Sequence, residues 1–142
     1  MQVIGFNISK VLAEKSPSFK PASVINTDIE FINIEKEKIE VLKNIEPIKV
    51  FFKYTVSYFD SKEEKKKEGE VIFEGNVILS AEDQEAKDIE KAWKKKELPD
   101  STKIPLFNFI LKKCSPKALH LEDEIDLPSH IPYPRLRPQT KE

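Results

Sequence analysis

The sequence predicts an α+β fold, a four-stranded and mainly antiparallel sheet followed by two helices. Three observations carry this. Apolar residues recur at period two through most of the first eighty positions, the period of a half-buried strand. After Ser80 the period becomes helical. Strands that come first in sequence, with helices after them, favour an antiparallel sheet. A chain of 142 residues fits one domain, so we expect residues 1–142 to form one, with 126–142 as an extended, proline-rich tail.

The elements follow in order. Ile4, Phe6 and Ile8 alternate with Gly5, Asn7 and Ser9 and mark the first strand. Pro17 and Pro21 make Ser16–Ala22 an exposed crossing. In the second strand Ile25, Thr27, Ile29 and Phe31 share a face, and the apolar phase then slips to Ile32 and Ile34. That slip predicts a bulge near Phe31 and Ile32. The third strand, Ile48 to Phe59, is the strongest: Ile48, Val50, Phe52, Tyr54, Val56 and Tyr58 lie on one face, Phe51 and Phe59 on the other. Ser61–Gly69 reads as a solvated hairpin loop, its Lys65–Lys67 run included. The fourth strand, Glu70 to Leu79, places Val71, Phe73, Val77 and Leu79 on one face, and Gly75 in phase with them predicts a bulge or a close approach.

Ser80 is a candidate N-cap for the first helix, which has an acidic first turn, an apolar stripe of Ala86, Ile89 and Trp93, and Lys94–Lys96 in its last turn. The second helix starts near Ser101 and is apolar over much of its circumference through Leu106, Phe107, Phe109, Ile110, Leu111 and Cys114. Pro116 leaves two possibilities, one kinked helix or two short ones with Ser115 as a cap. Four of the ten prolines then fall between Asp126 and Pro138, which favours an extended backbone.

Composition excludes several classes of function. Twenty-four basic against twenty-five acidic residues give a formal net charge of -1, so nucleic acid is not expected as a partner. The N-terminal residues show no signal-peptide pattern and no apolar run approaches the roughly 20 residues of a membrane helix, so direct membrane insertion is not expected and the cytoplasm is. The single cysteine, Cys114, forms no disulfide within the chain and reads as a small buried hydrophobe. His120 and His130 lack a nucleophile or ligand partner at a telling spacing, and the three glycines form no phosphate loop. No catalytic residue, metal site or cofactor is expected, and the protein reads as a non-enzyme.

Apolar surface is the informative excess. The second face of the third strand and the nearly all-round apolar second helix exceed what one small layer hides. A second subunit or a ligand covers it, unless the tail and the 35–47 linker do so within one chain.

The element order resembles that of SecB, the tetrameric export chaperone, and its relatives. The resemblance runs from about Phe6 to Pro138 and rests on five stretches: Phe6–Val11 as the opening strand, a crossing with Phe19 and then Ile25–Glu30, the long strand Val50–Val56, Phe73–Val77, and the last helix with the Leu127-Pro128 and Pro132-Tyr133-Pro134 exit. These agree with the family in order and spacing, not in an exact string. The near-neutral charge and a tail with Arg135, Arg137 and Lys141 depart from the family's acidic motor-docking surface. The resemblance implies an ATP-independent holdase for non-native polypeptides, linked to protein export, assembled as a homotetramer from two dimers. It implies subunit contacts at Phe6, Ile8, Ala86, Ile89 and Trp93, and client contacts at Ile25, Ile29, Phe31, Val50, Phe52, Tyr54, Phe107 and Leu111. Each of these residues also fits an ordinary core position. Two other functions fit the same sequence: an adaptor or antitoxin-associated chaperone with a single client, and a small-molecule pocket protein.

Overall fold

Residues 1–21, 23–36, 46–62 and 65–139 are described in the computed structural model of the chain. Strands β1 (Gln2–Lys15), β2 (Val24–Lys36), β3 (Glu46–Phe59) and β4 (Lys67–Ala81) precede helices α1 (Asp83–Trp93) and α2 (Asp100–Glu124). They form one antiparallel sheet in the order β1-β4-β3-β2. The β3–β4 hairpin is central, so β1 and β2, consecutive in sequence, are the two edges. Most of the 35–47 linker lies outside the described residues, as do Glu63, Glu64 and Lys141.

Two buried carboxylates fix the crossing from β1 to β2. Glu68 Oε2 accepts hydrogen bonds from Ser23 Oγ at 2.6 Å and from the Lys20 backbone N–H at 3.2 Å. Asp60 Oδ2 takes the Lys20 ammonium at 2.9 Å. Carboxylates are costly to bury without such partners, so both acids dictate where the crossing runs over the end of the central hairpin. Phe19 closes it by meeting Tyr58 edge-on at 6.0 Å.

The expected bulge in β2 is present, with the register shift between Phe31 and Asn33 leaving Ile32 as the extra residue. It keeps Phe31 opposite Phe52 and Ile34 opposite Val50, both on the helix-covered face. β1 carries two shifts, between Val3 and Gly5 and between Ile8 and Lys10. The first turns Ile4 outward, where it is exposed, so the inward face is Val3, Phe6 and Ile8 instead of Ile4, Phe6 and Ile8. The second lies opposite Gly75, where an added Cβ would fall 2.0 Å from the Asn7 carbonyl oxygen. The close approach expected at Gly75 is thus a consequence of the bulge in its partner strand.

Both helices lie on one face of the sheet, against β3 and β4. β4 runs on to Ala81, and Glu82 takes the N-cap position of α1 in place of Ser80. α2 is one helix through both Pro105 and Pro116. Its buried residues explain the continuity: Thr102, Leu106, Ile110, Cys114, Ala118 and Glu122 recur every four residues and are all sealed. Burial on both sides of Pro116 holds the helix together despite the missing N–H. A stripe of period four drifts round a helix of period 3.6, so α2 contacts β2 near its start and β1 and β4 near its end. Ridges of this kind set the helix oblique to what it covers.

The two helices end alike. Lys96 and Asp126 have φ of 61° and 57°. At each end the pair of reverse bonds of a Schellman turn is present, Glu97 N–H to Ala92 O with Lys96 N–H to Trp93 O, and Leu127 N–H to Glu122 O with Asp126 N–H to Asp123 O. Leu98 and Leu127 follow and are buried. Residues 127–139 carry neither helix nor strand.

Candidate functional site

The covered sheet face is a continuous apolar floor. Val50, Phe52, Tyr54, Val56 and Tyr58 of β3 are all fully buried, as are Val71 and Val77 of β4. Each such side chain contributes roughly 1.5–3 kcal/mol by leaving water. Above this floor, α2 is flanked by two grooves. On its β1 side, Val11 and Phe73 face Pro116 and Leu121 across an apolar depression of about 380 Å³.

The larger groove lies between α2 and the edge strand β2. Phe31 and Phe107 stack at 5.1 Å, nearly parallel, in its centre. One lobe, about 460 Å³, has Thr27, Asp28 and Ile29 on the strand and Ile104, Asn108 and Leu111 on the helix. The other, about 440 Å³, continues past Ile32 and Phe31 to Trp93 and Leu98. Ile29 and Phe107 line both lobes. Ile104 is 57% and Leu111 38% exposed, so the groove presents apolar side chains to solvent. Its rim is polar: Asp28, Glu30 and Glu97, with Lys96 and Lys103. The Lys103 ammonium stands 5.6 Å from the Phe107 ring centre.

A buried polar cluster closes the other end of α2. Glu122 Oε1 accepts the His130 backbone N–H at 2.8 Å, and Oε2 lies 2.7 Å from His130 Nδ1. The other ring nitrogen, Nε2, lies 3.0 Å from the Tyr54 hydroxyl. Burial pushes the Tyr54 hydroxyl up to about 12, so it stays neutral well into alkaline pH. Tyr58, raised likewise by burial and then by the Glu122 charge, donates to the Pro128 carbonyl at 2.6 Å. The cluster staples the segment after α2 onto β3.

The residues expected to touch clients divide in two. Ile29, Phe31, Phe107 and Leu111 converge on the groove, and Ile25 lies half-buried four residues before Ile29 on the same strand, outside both lobes. Val50, Phe52 and Tyr54 lie fully buried in its supporting floor, beneath α2 and the Glu122–His130 cluster. The expected subunit contacts divide in the same way. Ala86 and Ile89 are buried within the chain's own core. Phe6 packs on Phe52 and Phe109, at 5.7 and 5.6 Å. Ile8 and Trp93 are half-buried. Exposed apolar residues on β1 are instead Ile4 and Val11.

Ile104 and Ile32 were not among the expected groove residues. Ile104 was legible, since it stands three and seven residues before Phe107 and Leu111 on one helix side. The Glu122–His130 pair carried no signal, because its partners meet only after the chain reverses beyond α2. Among the described residues, no group of three His, Cys, Asp or Glu side chains could hold a metal, and no helix is long and apolar enough to cross a membrane.

No family model matches the sequence, and no curated protein matches it. Among solved structures, the chain is similar to the SecB-like chaperone Rv1957 of Mycobacterium tuberculosis in complex with a ChAD peptide from the HigA1 antitoxin. That likeness has a TM-score of 0.53 and 15% identity, over 97% of this chain and 92% of the other. The fold is SecB-like. At that identity the SecB-like likeness speaks for the strand order and the two helices, and it leaves each side chain of the groove to be read from its own geometry.

Proposed function

We propose that the protein is a chaperone-type binder of extended, non-native polypeptides, an ATP-independent holdase. The observation that carries this is the groove between β2 and α2, where a stacked Phe31–Phe107 pair is flanked by exposed Ile104 and Leu111. Rings and aliphatic chains open to solvent take up apolar side chains of an extended client with little sequence preference. Ile25, Ile29, Phe31, Phe107 and Leu111 make the client contacts in this reading. Binding and release then follow client folding or hand-over rather than a nucleotide cycle. Suppression of light scattering from unrelated denatured proteins at stoichiometric ratios is the expected result. Unsuppressed aggregation would sink the general holdase.

One observation favours a second, narrower reading. The similar SecB-like structure holds a peptide from an antitoxin, so a dedicated partner is the alternative. It predicts tight binding of one peptide and indifference to other denatured chains. A role in protein export goes with the first reading, and a cytoplasmic working site with both.

We further infer assembly into a homotetramer of paired dimers. The edge position of β1 in the described sheet, with Ile4 and Val11 exposed, supports it. A solution mass near that of one chain, 16.4 kDa, contradicts the assembly. So does a Trp93→Ala variant with an unchanged size-exclusion profile, as far as α1 is concerned.

A further inference from the structure

Resting on the groove reading above, we propose that residues Ile131–Arg137 are a strap that closes over the groove between β2 and α2, and that a client must displace it to bind. The strap begins at a fixed point. Tyr58 holds Pro128, and Tyr54, four residues earlier on the same face of β3, holds His130. Between Pro128 and His130 the chain leaving α2 therefore runs along β3 in the direction from Tyr58 to Tyr54. Across the ladder, Tyr54 stands opposite Ile29 and Phe52 opposite Phe31, two residues of the groove.

The helix gives the same direction. Ile104, Leu111, Ser115 and Glu122 are spaced seven, four and seven residues apart, which puts them on one side of α2. Glu122 anchors His130 on that side, and Leu111 and Ile104 line the groove on that side. The residues after His130 therefore start from an anchor on the side of α2 that carries the groove.

Their chemistry matches what the groove binds. In the structure the strap is open, with Ile131, Tyr133 and Leu136 exposed to 41%, 60% and 103%. Three large apolar side chains on an extended backbone are what the groove reading requires of a client. Pro132, Pro134 and Pro138 keep that backbone extended beforehand, so closing orders little that was free. Seven residues at about 3.1 Å span roughly 22 Å, against roughly 17 Å from Ile29 to Ile34 along β2. Arg135 and Arg137 complement Asp28, Glu30 and Glu97 on the rim. Lys96 and Lys103 oppose them, and their ammonium groups are drawn over the rings of Trp93 and Phe107 at 5.4 and 5.6 Å.

Trp93, the chain's single tryptophan, lines the far lobe and reports on closure. A dansyl group on Pro138→Cys in the full chain should quench Trp93 by energy transfer, because Cys114 is buried and escapes labelling. A saturating Leu- and Tyr-rich peptide of about twelve residues, the extended form a groove accepts, should restore the emission. An excess of unlabelled chain should not. A Tyr133→Ser/Leu136→Ser variant should bind that peptide about tenfold tighter, the gain when a strap closed nine-tenths of the time is removed. Unquenched Trp93, an unchanged peptide affinity, or quenching that unlabelled chain dilutes away each overturns the intramolecular strap. Absence of any peptide binding overturns the groove reading instead, and the transfer in peptide-free protein then decides the strap by itself.

Discussion

From Ser115 to Glu124, α2 is held by polar bonds, with Glu122 on His130, Tyr54 on His130 and Ser115, and Tyr58 on Pro128. From Asp100 to Leu111 the same stripe, Leu106 and Ile110, is buried and Phe109 meets Phe6 of β1, but the flank towards β2 is closed by one pair of stacked rings and leaves Ile104 and Leu111 partly exposed. Both halves belong to one unbroken helix with one buried stripe. What differs is the neighbour. The second half lies under the returning chain, whereas the first half flanks β2, an edge strand of the described sheet. Apolar residues at a sheet edge stay partly wet, and a wet apolar surface is what an extended segment can cover.

Substitutions at the two ends should therefore behave in opposite ways. Glu122→Ala leaves the buried His130 ring without its acceptor and should cost about 3–5 kcal/mol of stability, as broken buried pairs do. The denaturant midpoint measures this. A loss below about 1 kcal/mol would mean that the cluster is not what holds this half.

Alkaline pH should attack Tyr54, bonded to that half, and Cys114 just before it. Tyr54 is held neutral with its hydroxyl raised to about 12, and Cys114 with its thiol raised to about 11, in both cases first by burial. A group whose folded value lies above its unfolded one stabilises fully below the unfolded value. The contribution from Cys114 should fade as pH climbs from 9.0 to about 11, and that from Tyr54 from 10.0 to about 12. Thermal melts across this range should show the midpoint falling in both windows. A melting temperature that holds steady from pH 8 to 12 contradicts this. At pH 8 the native thiol should also react far more slowly with a thiol reagent than it does in the unfolded chain.

The helix ends offer a smaller test. Lys96 and Asp126 adopt positive φ at positions that glycine usually fills. Lys96→Gly and Asp126→Gly should each raise stability by about 0.5–1 kcal/mol. The gain at Asp126 should be the lesser, because Asp tolerates this region better than Lys. Equal losses at both sites would show that the side chains, not the backbone, matter there.

The smallest change in stability, within about 0.5 kcal/mol, is expected for Ile104→Ser with Leu111→Ser, which alters only exposed positions. The same pair should weaken binding of an extended apolar peptide by tenfold or more, about 1.4 kcal/mol. Fluorescence anisotropy with a labelled peptide separates the two effects. Unfolding of the variant, or unchanged binding, would erase the distinction between the halves.

Much of this was legible along the chain. The alternation from Ile48 to Tyr58 identifies the buried face of β3, the phase slip at Ile32 locates the bulge, and Gly75 marks the close approach. Phe107 and Leu111 entered as client contacts through the family resemblance, and Val50, Phe52 and Tyr54 entered with them and were not separable from them. A buried floor and an open groove have the same apolar composition, and only what lies above each tells them apart. Ala86 and Ile89 illustrate the same limit, since a narrow apolar stripe looks identical whether its own sheet or another subunit covers it.

Period and composition by themselves thus determined the four strands, the helix that follows them and the irregular exit, because side-chain direction follows from local backbone geometry. Tertiary structure alone decided that β1 joins β4 and that β2 is left as an edge. It also decided that α2 survives Pro116 and that Glu122 finds His130 across the chain reversal. Those outcomes depend on contacts between distant residues, whose energies outweigh local preference and leave no period in the sequence.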